Sequence, residues 1–167
     1  YLGKVLFKSI EHNFQNMERI GIIGPNGCGK TTLLKIIVGE EKPDCGTVKT
    51  GVNTHFAYYK QDEDSFDPNL TVYDYIAQFA EVIKTADGNK VTATEMLKRF
   101  LFDGKMQQMK LGALSGGERK RLYLLKALMF GANFIIMDEP TNDLDIRTLE
   151  ILEDYMDAFK GCLLIVS

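Results

Sequence analysis

The sequence contains few of the residues on which several specialised folds depend. It has 3 cysteines, 2 histidines, 4 prolines and no tryptophan in 167 residues. Cys28, Cys45 and Cys162 are an odd number at wide spacings with no C-x-x-C pair, so neither a disulfide framework nor a zinc site is expected. There is no run of about 18 or more apolar residues and no signal or transit peptide, which disfavours a membrane span or export and predicts a cytoplasmic protein.

The residues that are present make an ordinary soluble composition, with 45% hydrophobic and 26% charged residues. The length suits one domain with a buried core. A net charge of −3 disfavours a wholly basic nucleic-acid-binding protein, but residues 98–126 hold eight basic and two acidic residues, a local charge of +6. This basic run could contact nucleic-acid phosphates. It also fits a solvated helix face, which the lack of interleaved aromatic residues favours.

The order of apolar runs predicts an α/β domain with a mainly parallel sheet. A strand at 19–23 is followed by a helix over 30–38, and a continuous apolar run at 134–137 indicates a strand buried on both faces. A helix over 147–159 and a strand at 162–166 complete another helix-to-strand step.

Shorter β-like runs near the N-terminus predict an antiparallel β layer beside this sheet. Runs at 4–8 and 11–17 alternate as strands do, and runs at 46–49 and 55–60 are interpreted as an antiparallel pair.

A helical insertion is predicted at about 62–113. Thr71 with Asp74 indicates a capped helix over 72–83, and a second helix follows over 94–102. A further helix is predicted to begin after Ser115, where Glu118 completes a capping box, and to run through Phe130.

Residues 24–31, Gly-Pro-Asn-Gly-Cys-Gly-Lys-Thr, match the phosphate-loop pattern G-x-x-x-x-G-K-[ST] between a strand and a helix. The glycines let backbone N–H groups converge on a β-phosphate, Lys30 places its charge between β- and γ-phosphates, and the Thr31 hydroxyl can ligate Mg²⁺. A tight turn with an incidental lysine is the alternative, which the strand–loop–helix context disfavours. The predicted nucleotide-binding residues here are Gly24, Pro25, Asn26, Gly27, Cys28, Gly29, Lys30, Thr31 and Thr32.

Two carboxylates follow the buried run at 134–137, where an α/β fold gathers its ligands. Asp138 is predicted as a Mg²⁺ partner acting through metal-bound water, and Glu139 as the group that polarises the attacking water. A helix-capping acidic pair is the alternative, which the upstream Lys30 and Thr31 disfavour.

Ser115, Gly116, Gly117 and Glu118 can be a simple capped helix start. Two glycines in a first turn nevertheless cost about 1 kcal/mol each relative to alanine, which indicates close approach of another group to the backbone. A phosphate at this helix N-terminus is the natural candidate.

These motifs, together with Gln61 and residues 142–145, occur in the order and approximate spacing of the ATP-binding cassette (ABC) ATPases, which the chain resembles over nearly its whole length. The resemblance implies a Q-loop at Gln61 that contributes to catalysis and the Mg²⁺ site. It also implies a signature sequence at 115–118, a D-loop at 142–145, and an adenine-stacking role for Tyr1.

Within that superfamily the chain resembles the ABC-F branch, and more narrowly the second cassette of Uup-like proteins. The signature ends in Glu118 and Arg119 where transporters usually have glutamine, and residues 140–145 have the ABC-F style of D-loop.

The resemblance implies a soluble ATPase that binds ATP and Mg²⁺. Its cassette would pair head to tail with a second one, so that residues 115–117 bind the γ-phosphate of the opposite ATP. Ribosomes, RNA or DNA are the implied partners. Two alternatives stay open: an energy-coupling subunit of an ABC membrane transporter, and a nucleotide-gated clamp in which turnover only resets binding.

The family's switch histidine normally follows the strand that ends here at residue 166. Neither His12 nor His55 is positioned to replace it. The sequence is therefore interpreted as a single nucleotide-binding domain over 1–167, truncated at its C-terminus, and the resemblance argues against hydrolysis by these residues alone.

Overall fold

The computed structural model describes residues 5–60, 66–79, 82–84, 90–129, 131–142 and 144–167. Six strands occur in this part of the chain. They are β1 (Arg19–Ile22), β2 (Phe56–Tyr59), β3 (Val82–Lys84), β4 (Lys90–Thr92), β5 (Phe134–Asp138) and β6 (Cys162–Val166).

The α-helices of the described residues surround the main sheet and build the segment that follows β2. They are α1 (Lys30–Val38), α2 (Val72–Ala77), α3 (Ala93–Arg99), α4 (Gly104–Gln107), α5 (Gly116–Leu128) and α6 (Ile146–Ala158). Two short 3₁₀ helices lie at Leu111–Ala113 and Pro140–Asn142. None of the described helices combines the length and apolar character needed to cross a bilayer.

The main sheet has four parallel strands in the order β1-β6-β5-β2. All five residues of β5 are buried, as predicted for a strand covered on both faces. Phe134 and Ile136 pack with Leu34 of α1 on one face. Ile135 and Met137 point to the opposite face, into the larger core formed with α5, α6 and the segment after β2. The predicted α/β architecture with a parallel core sheet is confirmed.

Helix α1 occupies the predicted bounds because a glycine in the left-handed region flanks it at each end. Gly29 precedes it with φ 107°, and Gly39 follows it with φ 84° and donates its N–H to the carbonyls of Ile36 and Lys35. The helix therefore begins directly at the end of the predicted phosphate loop.

The prediction of an N-terminal antiparallel β layer is wrong for the described residues. Residues 5–8, 11–17 and 46–49 form no strand, and β2 pairs in parallel with β5, with Phe56 opposite Phe134. Residues 46–49 are exposed, so an added strand there would bury nothing. By contrast, β2 buries Ala57 and Tyr59 in the larger core.

The predicted helix over 72–83 is too long. Thr71 is its N-cap, as predicted, and accepts a hydrogen bond from the Asp74 N–H, but α2 ends at Ala77. Val82–Lys84 forms β3, which pairs antiparallel with β4. Val82 and Ile83 are β-branched and favour a strand once a partner strand is available.

Candidate nucleotide-binding site

The phosphate loop connects β1 to α1 and adopts a conformation that requires its glycines. Gly27 has φ 76° and Gly29 has φ 107°, backbone angles that residues other than glycine rarely adopt. The chain then enters α1 at Lys30, so the first N–H groups of this helix point toward the loop. Such a helix N-terminus favours a bound anion.

Gly29 is also a point of close approach. A Cβ built there would lie 3.0 Å from the Cζ atom of Phe7 and 3.2 Å from the Leu6 side chain. The segment at 6–7 therefore packs directly on the loop. Sequence reasoning did not identify this contact, because nothing local to Leu6 or Phe7 indicates where the segment packs.

The loop, Leu6 and Glu139 surround an open cleft of about 380 Å³. Its lining residues are Leu6, Asn26, Gly27, Gly29, Lys30, Thr31, Thr32 and Glu139. Except for Leu6, all were predicted as site residues. Of the other predicted loop residues, Gly24 and Pro25 supply carbonyls for hydrogen bonds within the loop, and the Cys28 N–H donates to Pro25.

The Lys30 ammonium is held inside this cleft. Lys30 is only 7% exposed, and its Nζ donates a 2.6 Å hydrogen bond to the Gly24 carbonyl. The same Nζ lies 3.3 Å from Oε1 of Glu139. A buried ammonium needs such partners, and the pair joins the phosphate loop to the end of β5.

Thr31, the residue after Lys30, contacts Asp138. The Thr31 hydroxyl donates a 2.6 Å hydrogen bond to Oδ2 of Asp138, which is 2% exposed at the end of β5. A hydroxyl and a carboxylate oxygen are hard ligands of the kind that Mg²⁺ prefers. The predicted Mg²⁺ partners Thr31 and Asp138 are thus brought together.

Glu139 follows in a left-handed backbone conformation, with φ 50°. Its N–H donates to the Val166 carbonyl of β6 at 2.9 Å. Its Oε2 atom accepts a 2.6 Å hydrogen bond from Nδ2 of Asn142. Asn142 was predicted only as part of the D-loop, and its contact with Glu139 was missed.

The predicted signature residues form the capped start of α5. Ser115 and Glu118 make the predicted capping box in both directions. Hydrogen bonds from Ser115 hold the pKa of the Glu118 carboxyl below its usual range. The bond from the Ser115 N–H has the larger effect and the bond from its hydroxyl the smaller one. Among the described residues, no atom apart from the adjacent residues and the backbone of α5 itself lies within 4 Å of a Cβ built on Gly116 or Gly117, and none of these four residues lines the cleft.

Tyr1, Gln61 and Asp143 of the D-loop lie outside the described residues, so their roles stay predictions. The described chain before Gln61 ends at Lys60. Its Nζ forms a 2.6 Å ion pair with Glu40, just after α1, and lies 5.1 Å from the centre of the Tyr58 ring.

Arg121 of α5 was predicted only as part of the basic run, but it is buried rather than solvated. Its guanidinium lies 5.0 Å from the centre of the Phe102 ring, and its Nη1 atom is 3.8 Å from the carboxylate of Asp145, the N-cap of α6. Burial in this position removes Arg121 from any surface offered to a nucleic acid.

Comparison with protein families matches residues 7–142 to the family described as ABC transporter. The chain is 50% identical over 167 residues to the uncharacterized ABC transporter ATP-binding protein YfmR of Bacillus subtilis (strain 168), covering 100% of this chain and 27% of that protein. It is 41% identical over 165 residues to the ATP-binding protein Uup of Escherichia coli (strain K12), covering 99% and 26% respectively.

The energy-dependent translational throttle protein EttA of Escherichia coli (strain K12) is 39% identical over 167 residues, covering 100% of this chain and 30% of that protein. The chain thus spans 30% or less of the length of these three curated relatives.

Solved structures agree with this relationship. A chain in the crystal structure of the archaeal ribosomal stalk protein aP1 with the archaeal ribosome recycling factor aABCE1 superimposes with a TM-score of 0.71 at 28% identity, covering 91% of this chain and 29% of that one. An ATP binding subunit of an ABC transporter superimposes with a TM-score of 0.78 at 19% identity, covering 100% and 75%, and shows the fold alone.

The family match extends over most of the chain and includes the phosphate loop, the carboxylates of Asp138 and Glu139 and the capped start of α5. The chain belongs to the ABC transporter family, as a cassette of the ABC-F type.

Proposed function

We propose that this cassette binds ATP with Mg²⁺ in the cleft beside α1 and hydrolyses it. The observation that carries this proposal is the convergence of four groups from two distant parts of the chain. Thr31 meets Asp138 at 2.6 Å, and Lys30 meets Glu139 at 3.3 Å, at the N-terminus of a helix.

Each group has a distinct part in the reaction. The N–H groups of the loop and α1 would bind the phosphates, and Lys30 would neutralise charge on the β- and γ-phosphates. Glu139 would accept the proton of the attacking water. Thr31 and Asp138 would hold Mg²⁺, which supplies electrostatic stabilisation of the phosphate oxygens.

Two further residues belong to the proposal although they lie outside the described part of the chain. Gln61 would contribute to the Mg²⁺ site and to catalysis, and Tyr1 would stack on the adenine. Both roles follow from the family resemblance.

We further propose that residues 1–167 are one nucleotide-binding domain of a longer protein, and that residues 115–118 face the ATP of a second cassette. Gly116 and Gly117 support this pairing because they are exposed and because, in the described part of the chain, nothing outside α5 and the adjacent residues lies within 4 Å of a built Cβ. Packing within the described chain therefore gives no reason for these glycines, whereas a phosphate approaching the backbone does.

A ribosome, or a nucleic acid, is the proposed partner of the whole protein. The names of two similar proteins, the translational throttle protein EttA and the ribosome recycling factor aABCE1, support it. Lys98, Arg99, Lys105 and Lys110 are exposed and could contact phosphates, unlike the buried Arg121. Such a partner would place the protein in the cytoplasm.

The test uses the full-length protein and its Glu139→Gln variant. We expect the wild type to hydrolyse ATP with Mg²⁺, and the variant to bind ATP but to lose about 100-fold or more of the turnover, because the base is removed. Unchanged turnover in the variant would remove Glu139 from its role.

The same variant tests the partner and its mode of action. ATP-dependent cosedimentation of Glu139→Gln with ribosomes, lost on charge reversal of Lys105 and Lys110, would support a ribosomal partner. Retention of the variant on ribosomes without turnover would also support the clamp alternative. Stable co-purification of the full-length protein with a membrane subunit instead would support the transporter alternative.

A further inference from the structure

The two oxygens of the Glu139 carboxylate have different partners. Oε1 faces the Lys30 ammonium at 3.3 Å, and Oε2 accepts the Asn142 side-chain amide at 2.6 Å. The shorter contact is thus made by a neutral amide, to the oxygen that does not face Lys30. Asn142 is exposed and is absent from the residues that line the cleft.

The backbone ties Asn142 to Glu139 a second time. The Asn142 N–H donates to the Glu139 carbonyl at 3.2 Å across the 3₁₀ helix at Pro140–Asn142. Glu139 itself has φ 50°, in the left-handed region, and its N–H is anchored on Val166 of β6. The Asn142 N–H therefore closes the turn that carries Glu139, and the Asn142 side chain holds the carboxylate of Glu139 within that turn.

The Lys30 contact and the Asn142 contact respond differently to a nucleotide. Lys30 already has the Gly24 carbonyl at 2.6 Å, and a γ-phosphate entering the cleft would compete with Glu139 for the same ammonium. Asn142 carries no charge and does not line the cleft, so its hold on Oε2 would persist.

We infer that Asn142 is a positioning residue for Glu139: it fixes Oε2 so that Oε1, released from Lys30 when the γ-phosphate binds, is directed at the attacking water. This inference rests on the proposed function and adds to it a residue that touches neither phosphate nor water. A misplaced base can lower a rate about 100-fold.

The experiment measures ATP affinity and single-turnover hydrolysis in the full-length protein for Asn142→Ala and Asn142→Asp. Both variants lack the amide donor, and Asn142→Asp keeps the shape of the side chain. We expect each to lower the hydrolysis rate at least tenfold with ATP affinity within twofold of wild type. Asn142→Ser, which restores a donor, is expected to recover part of the rate.

A matched control separates positioning from stability. Asn133 also bridges two segments, with the His55 N–H donating to its Oδ1 and its Nδ2 donating to the Asn53 carbonyl, but it lies outside the cleft. Asn133→Ala is therefore expected to lower the unfolding temperature without lowering the hydrolysis rate of the folded protein.

The Glu139→Gln background decides whether Asn142 acts through Glu139. There Asn142→Ala should add no further loss, because residues that act as a unit are not additive. An equal loss in both backgrounds, a loss of ATP affinity in place of rate, or a wild-type rate in Asn142→Ala would each overturn the inference. Absence of hydrolysis in the wild type would instead refute the proposed function.

Discussion

The Thr31 hydroxyl and the Asp138 carboxylate form a 2.6 Å hydrogen bond between residues 107 positions apart in the chain. One residue lies in the first turn of α1 and the other ends β5, so the contact links the helix that follows the phosphate loop to the end of β5. Because both groups are oxygen ligands, the same pair is poised to share a cation.

Asp138→Asn is expected to abolish Mg²⁺-dependent hydrolysis. The substitution keeps the shape of a residue that is 2% exposed but removes the charge that a divalent cation requires. Asp103→Asn is the control, since Asp103 only caps the exposed start of α4. Titration of Mg²⁺ in a hydrolysis assay measures both, and a wild-type Mg²⁺ response in Asp138→Asn would contradict the assignment.

Gly29→Ala is expected to destabilise the cassette by more than about 1 kcal/mol in the absence of nucleotide. The alanine would be strained at φ 107°, and its Cβ would press on Phe7 and Leu6. Gly21→Ala is the matched control because a Cβ there has no described residue within 4 Å other than its chain neighbours. Urea unfolding compares the two, and equal midpoints would show that the loop relaxes around a side chain.

Acid is expected to destabilise the start of α5 through Glu118. Its pKa is lowered from 4.5 in the folded protein by hydrogen bonds from Ser115. A group with a lowered folded pKa stabilises the protein above its unfolded pKa, and this contribution is lost as the pH falls from about 4.5 through the folded value. Glu118→Gln should therefore flatten the decline of unfolding free energy over that acidic range, measured by urea unfolding at several pH values. An unchanged slope would exclude Glu118 as a contributor.

Lys126→Met is expected to loosen the contact between α5 and α2. The Lys126 ammonium lies 5.8 Å, 5.0 Å and 5.7 Å from the ring centres of Tyr75, Phe79 and Tyr123. Replacing the cation by an uncharged side chain of similar length should cost about 1 kcal/mol of unfolding free energy. Lys126→Arg should retain most of it, and the exposed Lys98→Met should change it little. Equal losses in Lys126→Arg and Lys126→Met would assign the effect to packing rather than charge.

Local signals account for what the sequence could predict. Helix α1 and the start of α5 were predicted correctly because glycines and a capping box lie within a few residues of their ends. β5 was predicted because the residues at 134–137 form a continuous apolar run, and the structure buries all five residues of the strand. The phosphate loop and the carboxylates of Asp138 and Glu139 were likewise recognisable from local pattern.

The errors concern features that depend on partners far along the chain. The residues of β2 do not encode whether the strand runs parallel or antiparallel to its neighbour, and the choice is made by β5, which follows some 75 residues later and offers a buried edge. The contact between Asn142 and Glu139 was missed for a related reason. It accompanies a left-handed backbone conformation at Glu139, which a glutamate at that position does not predict.

Strand β6 contains none of the residues proposed to bind or hydrolyse ATP, yet it sets the width of the site. It lies between β1, which leads into the phosphate loop, and β5, which ends in the two carboxylates. Its end bridges both, because the carbonyl of Val166, its last residue, accepts the Glu139 N–H, and the carbonyl of Ser167, which follows it, accepts the Gly24 N–H. Two strand spacings, about 9 to 10 Å, therefore separate the β1 and β5 backbones. Main-chain hydrogen bonds fix this separation. Side chains in the cleft can therefore be replaced, and the chemistry changed, while the distance between the β1 and β5 backbones stays the same.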